Sequence, residues 1–342
     1  MTAPRLSICM PTYNFGKFIG ASLDSVIKQA TDEVEIVVLD GGSTDDTPAV
    51  IREFQQRFPR LTYCRRERRG GIDRDMASTV ELAKGEYCWL FSSDDFMKPG
   101  ALTRVLEEID LGLDLYLCGL TLCTLHMERL RDHRVLNITS DRVFDLARPE
   151  ERRVYFALAE TTTAFFSFMG SLIFKKARWD AVPFDERFDR SLWAHVARFF
   201  ALVPQGLRLK YLASSLLDKR GDNDSFMDKG IIHRYKMAVD GYHDLASTFF
   251  GESSFEAHHI RRVVRKEFPP VRFLLNWRMQ TIENGNSANL ALLDEIAQKV
   301  YRDPGFKNWA SLAAYQTVPI PIFKIAKKVY SAVKPYLRRS VR

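Results

Sequence analysis

Several nucleotide-binding signatures are absent from this sequence of 342 residues. No G-x-G-x-x-G follows its first strand-like run; Pro11-Thr12-Tyr13-Asn14 stands there instead, which argues against a dinucleotide-binding sheet. No Gly-Lys-Ser/Thr loop is present, so a phosphate-binding P-loop is excluded. A glycine- and arginine-rich loop of the kind a nucleotidyltransferase would carry is also missing. None of the five cysteines forms a C-x-x-C pair, so buried free thiols in a reducing compartment are expected. No apolar run approaches the ~20 residues that span a bilayer. Met1 to Arg5 runs directly into a strand-like segment, so no leader is expected.

Acid is absent from one stretch. Residues 318–342 hold Lys324, Lys327, Lys328, Lys334, Arg338, Arg339 and Arg342 and no Asp or Glu, and so account for the whole net charge of +7. The body is neutral, and an anionic partner is therefore expected at the tail. Ile322, Ile325, Ala326, Val329, Val333 and Leu337 recur there at helical spacing, with Tyr330 and Tyr336 beside them. A basic amphipathic helix of this kind fits an anionic membrane surface. Nucleic acid is a poorer partner, because the body has no basic surplus.

Four strand-then-helix repeats open the chain. Strands are expected at Leu6 to Met10, Val34 to Leu39, Leu61 to Cys64 and Tyr87 to Phe91. Helices are expected at Phe18 to Ala30, from an N-cap at Ser43 or Thr44 to Phe58, at Ile72 to Ala83 and at Ala101 to Ile109. Short links between them predict a doubly wound, mainly parallel α/β sheet. Asp114 to Cys118 reads as a fifth strand, Arg187 to Leu202 as a helix and Leu207 to Leu212 as a strand. After Leu217 a polar turn leads into helices, roughly 229–250, 254–268, 271–284 and 288–302, then a terminal one. The expected division is 1–217, 218–317 and 318–342.

Polar strand ends carry the chemistry. Thr12, Asn14, Asp40, Asp94 and Asp95 fall where open α/β sheets bind ligands. Asp40 can accept hydrogen bonds from a base or ribose, or cap the next helix. Asp94 and Asp95 can hold a divalent cation beside a diphosphate, or cap the helix that follows. Arg74 can reach phosphate or base, or stand solvated on a helix face.

These residues resemble family 2 glycosyltransferases with the GT-A fold. Leu6 to Asn14 is similar to that family's opening strand and P-T-Y-N loop, and Val34 to Thr47 to its VVxDxGSTDxT segment. Gly71 to Gly85 is similar to a G-I-x-x-x-M…A-x-G helix, and Gly85 to Asp95 to the metal motif GEYxxxxxxDD. More narrowly, GGIDRDM, GEYCWLFSSDD, MGSLIFKKARW and WAHVARF resemble bacterial abequosyltransferase-like proteins of lipopolysaccharide O-antigen biosynthesis. The resemblance implies that Pro11, Thr12, Tyr13, Asn14 and Asp40 line a nucleotide pocket. It implies that Asp94 and Asp95 contact ribose and a Mg²⁺ or Mn²⁺ ion, with Asp95 the principal ligand. The reaction implied is an inverting, metal-dependent transfer of a sugar, deoxysugars included, from a nucleotide diphosphate donor to a glycan or lipid-linked oligosaccharide. The basic amphipathic tail adds the expectation that it runs on the cytoplasmic membrane's inner face.

Three positions depart from the family pattern. Gly41 stands where a second carboxylate is usual, Ser93 takes the first place of the acidic triplet, and Ser191-Leu192 occupies the place of a Glu-Asp pair holding the general base. His195 is the first replacement expected for that base and Asp189 the second; a half-buried structural histidine is the competing reading of His195. A non-catalytic nucleotide-sugar-binding or scaffold protein is the alternative from another class, and a nucleotidyltransferase, which would release pyrophosphate, is a third.

Overall fold

The computed structural model describes residues 3–224, 229–267 and 274–325. Ten strands form one sheet: β1 (Leu6–Thr12), β2 (Val34–Asp40), β3 (Leu61–Arg65), β4 (Tyr87–Leu90), β5 (Phe96–Met97), β6 (Leu115–Cys123), β7 (Arg129–His133), β8 (Arg142–Asp145), β9 (Leu172–Lys175) and β10 (Arg208–Lys219). Their order is β3-β2-β1-β4-β9-β6-β10-β5, with β7 on β6 and β8 on β10. The first four repeats pair in parallel, as expected. β9 lies antiparallel between β4 and β6, and β10 runs parallel to β6. Strands β1 to β4, β6 and β10 therefore point the same way, and their C-terminal ends share one edge.

Seven helices belong wholly to this part of the chain: α1 (Gly16–Ile27), α2 (Thr47–Arg57), α3 (Ile72–Leu82), α4 (Ala101–Ile109), α5 (Pro149–Leu158), α6 (Lys176–Asp180) and α7 (Ala194–Gly206). β1, β2 and β4 are buried along their whole length because they lie inside the sheet with helices on both faces. Leu23 and Val26 of α1, Ile51 of α2 and Val105 of α4 pack with Ile8, Ile36 and Trp89 in the core.

Two expectations shift. α2 begins at Thr47 rather than at Ser43 or Thr44, because the Asp45 carboxylate accepts from the Thr47 backbone and hydroxyl, and Pro48 favours a helix start. α7 begins at Ala194, not Arg187, because Arg190 and Leu192 take left-handed backbone angles, φ 60 and φ 74, which no α-helix accommodates.

Beyond β10 come α8 (Ile231–Phe250), α9 (Phe255–Glu267), α10 (Leu275–Glu283), α11 (Ser287–Val300) and α12 (Phe306–Thr317), the last distinct from the expected terminal helix. The chain divides into two compact units, Met1–Ser225 with Leu245–Ile260, and Phe226–Asp244 with Arg261–Arg342. Leu245–Ile260 joins the first unit through aromatic contacts: Phe249 stacks on Phe188, and Phe250 meets Phe156 and Phe200 edge-on. In the second unit Asp303 is buried between Arg261 and Arg265. Residues 320–325 are helical; 326–342, with most of the expected amphipathic helix, lie outside the described residues.

Candidate active site

β1 and β2 deliver Thr12 and Asp40 side by side to the shared edge, in register. Thr12 is buried, its carbonyl accepts from the Gly41 N–H at 2.8 Å, and its Oγ1 has no partner. Pro11 is buried in the same strand. The Tyr13 ring carries the Arg69 guanidinium 4.3 Å above it. Asn14, at φ 58, accepts from the Thr44 N–H at 2.8 Å and so ties the first loop to the second.

Asp40 has no solvent exposure. Its Oδ1 accepts from the N–H groups of Gly42 (3.0 Å) and Ser43 (2.7 Å), and its Oδ2 from the Tyr63 hydroxyl (2.8 Å). All of these bonds hold its own loop and the neighbouring strand. Beside it, Asp75 of α3 fills space that Gly41 leaves open: a Cβ on Gly41 would stand 2.7 Å from Asp75 Oδ2. Asp75 pairs through Oδ1 with Arg66 Nε at 2.9 Å. Burial raises its pKa, against the pull of Arg66. A carboxylate thus stands next to position 41 after all, supplied by α3.

The acidic pair follows β4. Asp94 Oδ1 accepts from the Ser92 hydroxyl, and Asp94 Oδ2 from Asn223 Nδ2 at 2.8 Å. Asp95 Oδ1 accepts from the Arg220 backbone N–H at 2.8 Å, whereas Oδ2 is buried with no partner. Burial, then the neighbouring Asp94 charge, push the Asp95 pKa well up. Arg220 donates from Nε to the Asp94 carbonyl at 2.9 Å, and its guanidinium lies over Phe18 and Phe96. In the sequence Arg220 and Asn223 stand in a polar turn with no mark of a site. Their role arises because parallel β10 ends beside β4's loop, a pairing without local signature.

No cluster of three His, Cys, Asp or Glu able to hold a metal exists among the described residues. Two acids still suit a hard cation that takes its other oxygens from a diphosphate and water, the usual mode for Mg²⁺. The orphaned Asp95 Oδ2 is an oxygen such an ion would satisfy, and its positive charge would reverse the upward pressure on that pKa.

The predicted base residues part company. His195, in the first turn of α7, is 5% exposed. Its Nε2 lies 3.0 Å from the Phe166 carbonyl, its Nδ1 is buried without a partner, and burial lowers its pKa to about 4. Asp189 sits in the loop before α7, its Oδ2 accepting from Arg74 Nε at 2.9 Å and its Oδ1 buried without a partner, with 17% of the side chain exposed. Arg74 also bonds Glu186 at 2.6 Å and lies over Phe184. Asp73, within the GGIDRDM segment but given no role by it, is buried and accepts from the N–H groups of Leu192 (2.9 Å) and Ala194 (3.1 Å).

Residues 7–178 match the family described as Glycosyl transferase family 2. The chain is 32% identical over 271 residues to abequosyltransferase RfbV of Salmonella typhimurium, covering 77% of this chain and 81% of that protein. Among solved structures it is similar to Staphylococcus aureus TarS 1–349 in complex with UDP-GlcNAc, with TM-score 0.61 and 17% identity over 96% of this chain and 92% of that one. It is also similar to the mannosyltransferase PcManGT of Pyrobaculum calidifontis in complex with GDP-Man and Mn²⁺, with TM-score 0.50 and 18% identity over 96% and 87% of the two chains. The polar strand ends, the acid pair and the extent of these matches lead to one conclusion: the chain belongs to glycosyl transferase family 2 and is a glycosyltransferase of the GT-A fold.

Proposed function

We propose that this glycosyltransferase is metal-dependent and inverting, and that it moves a sugar, deoxysugars included, onto a lipid-linked or cell-surface glycan of the O-antigen type. The likeness to an abequosyltransferase over most of both chains supports the substrate class. The observation that carries the chemistry is Asp95, buried, with one oxygen held by the Arg220 backbone and the other without a partner. Asp95 and Asp94 would hold Mg²⁺ or Mn²⁺, which when bound neutralises the departing diphosphate. Pro11, Thr12, Tyr13, Asn14 and Asp40 would frame the nucleotide, with the Asp75 carboxylate beside Gly41 completing the frame.

Asp189 is the base this reading favours. Its side chain is 17% exposed on a loop, whereas His195 is 5% exposed and bonded at Nε2. A carboxylate there would take the proton of the acceptor hydroxyl as it attacks the anomeric carbon. Arg74 would orient it.

Asp95→Ala should lower turnover by about 10²-fold or more, the scale of losing a key electrostatic group. It should also abolish the gain that Mn²⁺ gives to nucleoside diphosphate binding in a thermal-shift titration. Turnover equal to the parent's would overturn the metal reading.

Placement at the cytoplasmic membrane's inner face is part of the same proposal. No helix among the described residues is long and apolar enough to cross a membrane. Near the tail, Ile322 and Ile325 are exposed, as are Phe306 and Trp309 of α12. Exposed apolar and aromatic side chains beside a basic segment suit the headgroup region of an anionic bilayer.

A further inference from the structure

The loop that carries Asp189 is held in an unfavourable backbone conformation, and its fastening comes from another element. Arg190 (φ 60) and Leu192 (φ 74) are both left-handed, a region costly for side chains other than glycine. α7 has no side-chain cap from its own N-cap residue, Trp193. The Asp73 carboxylate supplies that cap from α3, accepting from the Leu192 and Ala194 N–H groups with its two oxygens. Arg74, the next residue, holds Asp189 and Glu186. Burial raises the Asp73 pKa to about 6; the N–H groups of Leu192, Ala194 and Arg190 pull it down, while Asp189 nearby adds to the rise.

We infer that Asp73 is a positioning residue: it clamps the left-handed 190–192 turn and thereby sets Asp189 for proton abstraction. This rests on the reading of Asp189 as the base. Asp75, on the same helix turn, faces Gly41 at the nucleotide edge. One turn of α3 thus serves both the donor frame and the base loop.

Asp73→Asn keeps the shape but leaves one carbonyl oxygen for two donors. Turnover should fall roughly 10- to 100-fold, the scale of an ångström-level misplacement, with donor KM within about twofold. Leu192→Gly removes the penalty for φ 74, so in the Asp73→Asn background it should restore much of the lost turnover. A merely structural carboxylate would not be rescued in this way. Amide exchange at Leu192 and Ala194 should quicken in Asp73→Asn while the β1 and β4 amides stay protected. Parent-like turnover and exchange in Asp73→Asn would overturn the inference, as would a fall in turnover and donor affinity together that Leu192→Gly leaves unchanged. If Asp73→Asn does not fold, the double variant decides: folding with turnover supports the clamp, and failure to fold overturns it. Asp189→Asn with parent-like turnover would refute the base while the exchange result still reads the clamp.

Discussion

At the residue scale, the base proposed above is Asp189 and not His195. A histidine beside a catalytic loop attracts attention because its ordinary pKa is near neutrality. Here burial lowers the His195 pKa to about 4. The unfolded chain then takes a proton between pH 6.5 and 4 that the folded chain refuses. Stability held above pH 6.5 drains as pH falls towards 4, by at most about 3 kcal/mol for this group. His195→Gln keeps a donor for the Phe166 carbonyl and does not titrate. Its acid unfolding should be correspondingly shallower in a pH series of denaturant melts, with turnover within about threefold of the parent. A collapse of turnover in a well-folded His195→Gln would return the base to His195. His133 is half-buried and lowered to about 4 in the same way, so a residual acid slope should survive.

At the element scale, the join between α3 and β4 shows why strand ends converge. Ser7 of β1 donates its hydroxyl to buried Glu35 of β2 at 2.6 Å and accepts the Gly85 N–H at 2.8 Å. Glu35 also accepts the Lys84 N–H at 2.6 Å. This buried polar chain sets where β4 enters the sheet, and so where Asp94 and Asp95 leave it. A Cβ on Gly85 would lie 2.8 Å from the Ser7 backbone nitrogen and 2.9 Å from the Tyr87 carbonyl. Backbone cannot step aside as a side chain can. Gly85→Ala should therefore cost about 1–3 kcal/mol, the range for overpacking a core, and weaken donor binding with it. A chemical denaturation midpoint equal to the parent's would show that the strands shift freely.

At the scale of the whole molecule, the charge is concentrated at one end. The seven basic residues of 318–342 match the net +7 of the chain. Deleting Pro319 to Arg342 should release the protein from vesicles containing anionic lipid, while nucleoside diphosphate binding persists. Each basic residue near such a surface contributes about 1 kcal/mol, so the loss should be large and salt-sensitive. Equal sedimentation of the truncated chain with vesicles would refute the membrane role.

What could be read without coordinates was local. The apolar runs of β1 to β4, the helical spacing between them, and the acids at strand ends are all near-neighbour patterns, and turn chemistry punctuates them. Those signals alone place Thr12, Asp40, Asp94 and Asp95 along one edge. Only tertiary structure decided the rest. β9 enters antiparallel between β4 and β6, Arg220 reaches Asp95 across 125 positions, and Asp73 reaches Leu192 across 119. Contacts between residues so far apart leave no periodicity in the chain, because they arise from which strand ends happen to be neighbours once the sheet has closed.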